Sequence, residues 1–372
     1  MTIGGCPSVV PWAAPSLRSG HALVAGEGPA TGATRRCAPC NVPAVSPPMR
    51  VTVVAAQLRP AASLLTAPGS NTKQASKTLT RLNRQTRSGR PCSRWRFETE
   101  AGAVRCHYLS DLHLEAQAFD TALPKGDVLI IAGDLCHARC LDPERRDRYS
   151  AEQRARVLRF VDRALASFPH VLLIAGNHEH YDGVFQDTCG LLRRHLPGVT
   201  LLDDDAVTIG GVRFFGSTLW TDFDGRSEAA MNAVRRRMGE FFFVKTRAAQ
   251  DTGVLAKFRP EDALRAHEAA WGALLNEVRT GEDRQTVVIT HHAPSRQGLN
   301  PKFAGNGLDA AYASDLDHTI QCLETIAVWV HGHTHVARSY RIGRTAVRTN
   351  ALGFAAKGQG APGFSVKACF DL

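Results

Sequence analysis

From residue 104 onward, short apolar runs alternate with longer stretches whose apolar residues recur every three or four positions, and this alternation sets the expected architecture. The runs are HYLSDL (107–112), DVLIIAGDL (127–135), HVLLIAGNH (170–178), VRFFGSTLW (212–220), TVVITHHAP (286–294) and AVWVHGHTH (327–335). They are rich in β-branched residues and apolar on both faces, as strands buried inside an α/β sheet must be. Between them, 150–168 and 259–278 carry a helical period, and Pro260 stands near the start of the second. Both predict amphipathic helices. Residues 222–257, with RRRMGEFFF inside, show no strand signal and predict a helical insertion over one end of the sheet, reaching to about 283 with the helix that follows. The expected fold class is α/β.

The first hundred residues break this pattern. They are rich in Pro, Gly, Ala, Ser and Arg without helical or strand periodicity, which predicts a disordered basic extension over 1–103 ahead of a folded domain at 104–372. Charge follows the same division. The chain has a formal charge of +10, but residues 1–97 hold 13 Lys and Arg against one acid, Glu27, a net of +12, which leaves −2 for the remainder. A nearly neutral folded part lacks the basic track that long nucleic acid requires, so nucleic acid is not the expected partner. Ten cysteines in a chain of this length do not form a disulfide scaffold, and a reducing, cytoplasmic location is expected. Cys37 and Cys40 have the spacing of half a zinc ribbon, with no second pair at the required distance. The most apolar stretch, from Val51, is broken by Gln57, Arg59 and Pro60, so no membrane span is expected.

The chemistry sits where the runs stop: SDLH, GD, GNHE, THH and HGHTH. Ligands of open α/β sheets and their two-layer relatives bind beyond the carboxyl ends of the strands, so five pieces of chain should deliver Asp, His and Asn to one rim. Asp111 with His113, and His333 with His335, are spaced i and i+2, which on a strand puts both side chains on one face. Imidazole with carboxylate suits Mn, Fe, Zn or Co, and without a clustered thiolate set a structural zinc site is not expected. Seven such donors exceed one tetrahedral ion and fit two ions about 3.5–4 Å apart that share a carboxylate. Singly, Asp111 and Asp134 read as helix caps and Asn177 as a turn residue. Their shared placement at strand ends outweighs those readings.

The ordered set DLH, GD, GNHE, THHAP and GHTH resembles the motifs of the calcineurin-like metallophosphoesterases, across roughly 106–352. The resemblance implies a two-layer β-sandwich flanked by helices, a four-layer αββα arrangement. It implies Asp111, His113 and His335 on one metal, Asn177, His291 and His333 on a second, Asp134 bridging, and His178 as the unliganded catalytic histidine. The implied activity is hydrolysis of a small phosphodiester or phosphomonoester by hydroxide held between two divalent or trivalent ions, with His178 protonating the leaving alkoxide. His291 matches the first histidine of the family's HH variant, which leaves His292 as a neighbour or phosphate contact. His331 is expected to support the site or to lie in the core. Many members carry an Asp three residues after the bridging Asp; here His137 stands there, so either His137 supports the site differently or another group orients His178. In RTNALGF (348–354), Asn350 is a candidate support or substrate contact, with a turn residue as the default reading. Cys136 and Cys140 are expected to pack rather than to ligate. His267, Trp271 and Arg235–Arg237 are expected on solvated helix faces, where the arginines could read an acidic substrate group.

Two other functions compete: a nucleic-acid binder acting through the basic tail with a non-catalytic metal domain, and a scaffold that holds phosphorylated partners without hydrolysis. Every ligand position being filled, together with His178, favours the hydrolase.

Overall fold

The computed structural model describes residues 103–247, 254–281 and 284–372. The expectations for the basic extension, the Cys37–Cys40 pair and the run from Val51 therefore lie outside the described residues.

Six strands come first in the chain: β1 (Arg105–Leu109), β2 (Val128–Ile131), β3 (His170–Ile174), β4 (Thr200–Leu202), β5 (Asp205–Ile209) and β6 (Val212–Ser217). After them come a short pair, β7 (Lys245–Arg247) and β8 (Leu255–Lys257), and then β9 (Thr286–Thr290), β10 (Ile326–His331), β11 (Ala337–Ile342) and β12 (Thr345–Asn350). The C-terminal part adds β13 (Gly353–Phe354), β14 (Gln359–Gly360) and β15 (Cys369–Asp371). One sheet runs β15-β1-β2-β3-β4 and the other β11-β12-β10-β9-β6-β5. Their interiors are parallel, and antiparallel strands close three of the edges: β15, β11 and β5. All the inner strands thus deliver their carboxyl ends to one side.

Period-two side-chain alternation builds the layers. In β2, Leu129 and Ile131 face Val157, Phe160 and Val161 of α1 (Arg148–Ser167), while Val128 and Ile130 face the second sheet, where Val287, Ile289, Val328 and Val330 meet them. β3 repeats this with Val171 and Leu173 on one side, Leu172 and Ile174 on the other. On the far face of the second sheet, Val288 and Trp329 pack with Ala270 and Leu274 of a long helix over Pro260–Thr280. The order helix, sheet, sheet, helix is the four-layer arrangement expected. The helix α2 (Thr188–His195) joins the first outer layer through Leu192.

The stretch expected as a helical insertion holds α3 (Phe223–Arg226), α4 (Glu228–Arg235) and α5 (Glu240–Phe243), and it also holds the antiparallel pair β7–β8. KTR and LAK carry no apolar alternation, so nothing in their pattern marks them as strands. The stretch has a small core of its own, with Trp220, Phe223, Val234, Phe241, Val244 and Phe258. The helix that follows, α6 (Pro260–Thr280), belongs to the outer layer of the second sheet as well. Two short helices, α7 (Asp309–Tyr312) and α8 (Asp317–Gln321), precede β10. Among the described residues no helix is long and apolar enough to cross a membrane.

Candidate metal centre

The strands stop earlier than the alternation suggested. β1 ends at Leu109 and β10 at His331, so Asp111, His113, His333 and His335 lie in the loops beyond them. Their paired spacing works for a different reason than a shared strand face. Asp111, His113, Asp134, His333 and His335 all have left-handed backbone, with φ of 55°, 48°, 54°, 64° and 47°. For residues bearing a Cβ this conformation costs on the order of 1–3 kcal/mol each. Loop-to-loop bonds hold them there: Asp111 N–H donates to Gly133 O at 3.0 Å, His113 N–H to Asp134 O at 3.0 Å, and His333 N–H to Asp111 Oδ1 at 3.0 Å. Two glycines permit the approach. A Cβ on Gly133, itself at φ 85°, would meet His291 and Gly176, and one on Gly176 would overlap the Asp134 carboxylate.

Among the described residues three groups of donors lie with every ligand atom within 4.8 Å of the others: the triad Asp111, His113 and His335; the triad Asp134, His291 and His333; and the group His113, Glu115 and His178, the last held together by its own hydrogen bonds through both Nδ1 atoms. Asn177 joins the second, with Oδ1 3.0 Å from His291 Nε2. In each triad the possible ligand atoms are turned towards one another. His291 Nδ1 lies 2.9 Å from the Ala132 carbonyl, which can only accept, so Nδ1 carries a proton and Nε2, the atom open to a metal, points at Asn177 Oδ1 and Asp134 Oδ1. His113 Nδ1 likewise donates to Glu115 and turns Nε2 to His335 Nε2, 3.0 Å away. His333 Nε2 is buried without a hydrogen-bond partner. The partnerless His333 Nε2 and the mixture of imidazole, carboxylate and amide oxygen fit a transition-metal ion in each triad.

The electrostatics agree. Burial opposes charge on Asp111 and Asp134, yet His335 and His291 respectively hold both carboxyls below the usual range. Burial would lower the His291 imidazole, but Asp134 and Asp111 outweigh it and hold it up at about 9. Burial, reinforced by His292 and His291, pushes His333 well down and leaves it neutral, as a ligand must be.

His178 lies beside the triads, and its side chain keeps 18% exposure where His113 and His291 have none. Its backbone N–H donates to Asp134 Oδ1 at 2.9 Å, and its Nδ1 donates to Glu115 Oε1 at 2.9 Å. Nε2 is thereby turned to the open side, 3.9 Å from Asp134 Oδ2. Burial would lower this imidazole too; Asp134 and Glu115 outweigh it and hold it up at about 9.

Glu115 and Glu179 were given no role from the sequence. Glu115 takes both the His113 and the His178 Nδ1 protons, supplying the orienting carboxylate whose usual position is occupied by His137. It stands four residues after Asp111, so the signal was an acid just past the first motif. Glu179 accepts from the backbone N–H of Asp134, Leu135, Cys136 and Gly176, bracing the Asp134 loop against the Asn177 loop. Its signal was the last letter of GNHE.

The outlying candidates separate. His137 Nδ1 lies 3.4 Å from Tyr149 Oη, and its ring centroid is 5.9 Å from that of His178, so it walls His178 without bonding to it. His292 donates to Thr218 O at 3.2 Å and packs on His333 at 4.3 Å. His331 is a core histidine, between Gly332 O at 3.0 Å and Tyr340 Oη at 3.3 Å. Of the two uses open to Asn350, the structure places its side chain in a structural tie. Its amide donates to Tyr108 O and Ser365 O and accepts from Ser365 N–H, so both donors are consumed by backbone. His267 is buried against Leu219 O at 3.1 Å rather than solvated. Arg235 pairs with Glu261, and Arg237 donates to Asn306 O. Cys136 lies in the core of the first outer layer, as expected of a packing residue.

Known proteins are similar to this chain. The sequence model of calcineurin-like phosphoesterases matches residues 105–337. An uncharacterised protein of Acanthamoeba polyphaga mimivirus is 21% identical over 213 residues, 53% of this chain and 73% of that protein. Among solved structures, the phosphopantetheinyl hydrolase PptH from Mycobacterium tuberculosis is similar at a TM-score of 0.48 and 14% identity, covering 73% of this chain and 96% of that one. A protein of Thermus thermophilus is similar at a TM-score of 0.35 and 14% identity, covering 67% and 89% respectively.

Proposed function

Because the chain belongs to the calcineurin-like phosphoesterase family, and is a phosphoric ester hydrolase, we propose that it uses two metal ions to hydrolyse a small phosphomonoester or phosphodiester. The observation that supports the number two is the pair of His/Asp triads, with Asp134 turning one oxygen to His291 in the second and the other towards His113 in the first. Asp111, His113 and His335 would hold one ion, Asn177, His291 and His333 the other, and Asp134 both. Bound there, Mn, Fe, Zn or Co would supply Lewis acidity for the phosphoryl oxygens and acidify water.

The protein's own part is proton management and fit. His178 carries a proton on Nε2 towards the open side and gives it to the leaving oxygen, while Glu115 fixes Nδ1–H and so the ring's orientation. Tyr181 stacks on the same ring at 4.4 Å. Beside His333, Leu299, Phe303, Tyr312 and Thr334, together with Asn300, Asn306 and Asp309, line a small recess, with Tyr312 stacked on His333 at 4.6 Å. The nearly neutral charge of residues 98–372 supports a small substrate against a long polyanion. The reading as a nucleic-acid binder rests on residues outside those described and gains no support from the site.

The test joins metal analysis to turnover. The full chain should hold two metals by elemental analysis and hydrolyse a chromogenic mono-ester or bis-ester with Mn supplied. His178→Ala should keep the metals and lose on the order of 10²–10⁴ in kcat. Asp134→Ala should lose both metals and activity. A wild type holding two metals but inert on a broad phosphoester panel would overturn the proposal.

A further inference from the structure

Glu240 is 1% exposed, on a short helix of the insertion whose neighbours Phe241 and Val244 are apolar. A carboxylate in such a place is costly unless its hydrogen bonds accomplish something. What it meets is Tyr181 Oη at 3.3 Å and Asn177 Nδ2 at 3.5 Å, and Asn177 Nδ2 is itself 3.2 Å from Tyr181 Oη. The insertion reaches this point closely. A Cβ on Gly239 would lie 2.6 Å from Tyr181 Oη, so only glycine lets the helix start here.

The direction of these bonds follows from what each group can do. Glu240 Oε2 accepts from the Tyr181 hydroxyl and, more distantly, from the Asn177 amide. The phenol oxygen then accepts on its other side, from the Asn177 N–H. That leaves one end of the amide, Oδ1, to face His291 Nε2 and Asp134. Without an obligate acceptor at 240 the tyrosine hydroxyl can donate to the amide oxygen instead, and the amide can turn end for end. It would then present NH2, which cannot ligate, to the second metal.

We propose that Glu240, acting through the hydroxyl of Tyr181, is a positioning residue that fixes which end of the Asn177 amide faces the second metal. The inference rests on the two-metal reading above. It makes the insertion part of the metal centre's support: metal ligand, tyrosine and insertion form one hydrogen-bonded chain, and the tyrosine ring also backs His178.

The experiment uses the full chain as wild type, Glu240→Gln and Tyr181→Phe, each stripped of metal and titrated with Mn²⁺ by calorimetry. Electron paramagnetic resonance reports the spin-coupled pair that forms only when both sites fill. The first Mn²⁺ should bind the variants as it binds wild type, and the second should bind about 10–100-fold more weakly, the usual effect of losing a group that orients a ligand. The thermal midpoint of metal-free Glu240→Gln should be no lower than wild type, because the change removes a buried charge and keeps the shape. A role in packing alone requires the reverse, a lower midpoint with both Mn²⁺ affinities intact, and that result overturns the inference. If Glu240→Gln does not fold, Tyr181→Phe decides by the same criterion. A wild type that binds a single Mn²⁺ overturns the two-metal reading and this inference together; wild type and variants all binding two alike overturns this inference alone.

Discussion

At the scale of single residues, Glu115 and Asn350 show how differently buried polar groups near one site are used. One Glu115 oxygen receives protons from two imidazoles at 2.9 Å each, those of His113 and His178. Glu115→Gln keeps the volume and an oxygen for these donors but removes the charge that draws both protons to it. It should lower kcat about 10–100-fold, with the circular dichroism spectrum unchanged; steady-state kinetics with Mn in excess would check it. Asn350 has the opposite use. All its bonds go to backbone of β1 and the C-terminal segment, so Asn350→Ala should cost about 1–3 kcal/mol in urea unfolding while kcat and KM of the folded enzyme stay at wild-type values. A raised KM with unchanged stability would restore Asn350 to the substrate side. Residue types and motif order carried the ligand set in the sequence. The uses of Glu115 and Asn350 were not legible there: Glu115 lies on no regular element, and Asn350 ends β12, where its partners come from the distant β1 and C-terminal segment.

At the scale of elements, the buried strands were legible and the edges were not. VLII, HVLLI and TVVIT are apolar on both faces because both faces are covered, and they lie inside the runs read from the pattern. The edge strands β5 and β11 mix exposed and half-buried positions, and β4, β7, β8 and β15 are three residues long, too short for any period to register. The same limit misplaced the ligands. A left-handed residue after a strand breaks the period-two rule, so Asp111 and His113 read as strand although they belong to a loop. The loops, not the strands, therefore set the precision of the site. Gly176→Ala tests this: its Cβ would collide with the Asp134 carboxylate and backbone, and lie 2.8 Å from His291 Cε1. The expected outcome is a folded chain, with sheet signal intact by circular dichroism, that retains less than one metal per chain by elemental analysis. Full metal content would show that the loops can yield.

At the scale of the whole molecule, the centre draws on both sheets. Asp111, His113, Asp134 and Asn177 follow strands of the first, and His291, His333 and His335 follow strands of the second. The inter-sheet core of Val128, Ile130, Val287 and Val330 holds the two together from within, and the His291 bond to Ala132 O already joins them at the rim. No local stretch of chain contains either complete triad; each needs residues more than a hundred positions apart. An unfolded chain therefore has no comparable site, and metal binding adds nearly its full free energy to folding. With free metal at about a thousand times Kd, a single ion contributes about 4 kcal/mol, which for a domain of this size raises the thermal midpoint by roughly 8–16 °C. Stripping the protein with a chelator should lower the midpoint by at least that range, and restoring Mn²⁺ should return it, with activity recovering over the same titration. His291→Ala, which removes a ligand contributed by the second sheet, should shrink the metal-dependent part of the shift and leave the chelated midpoint comparatively little changed. Equal midpoints for loaded and stripped wild type would mean that the donors do not hold metal across the sheets.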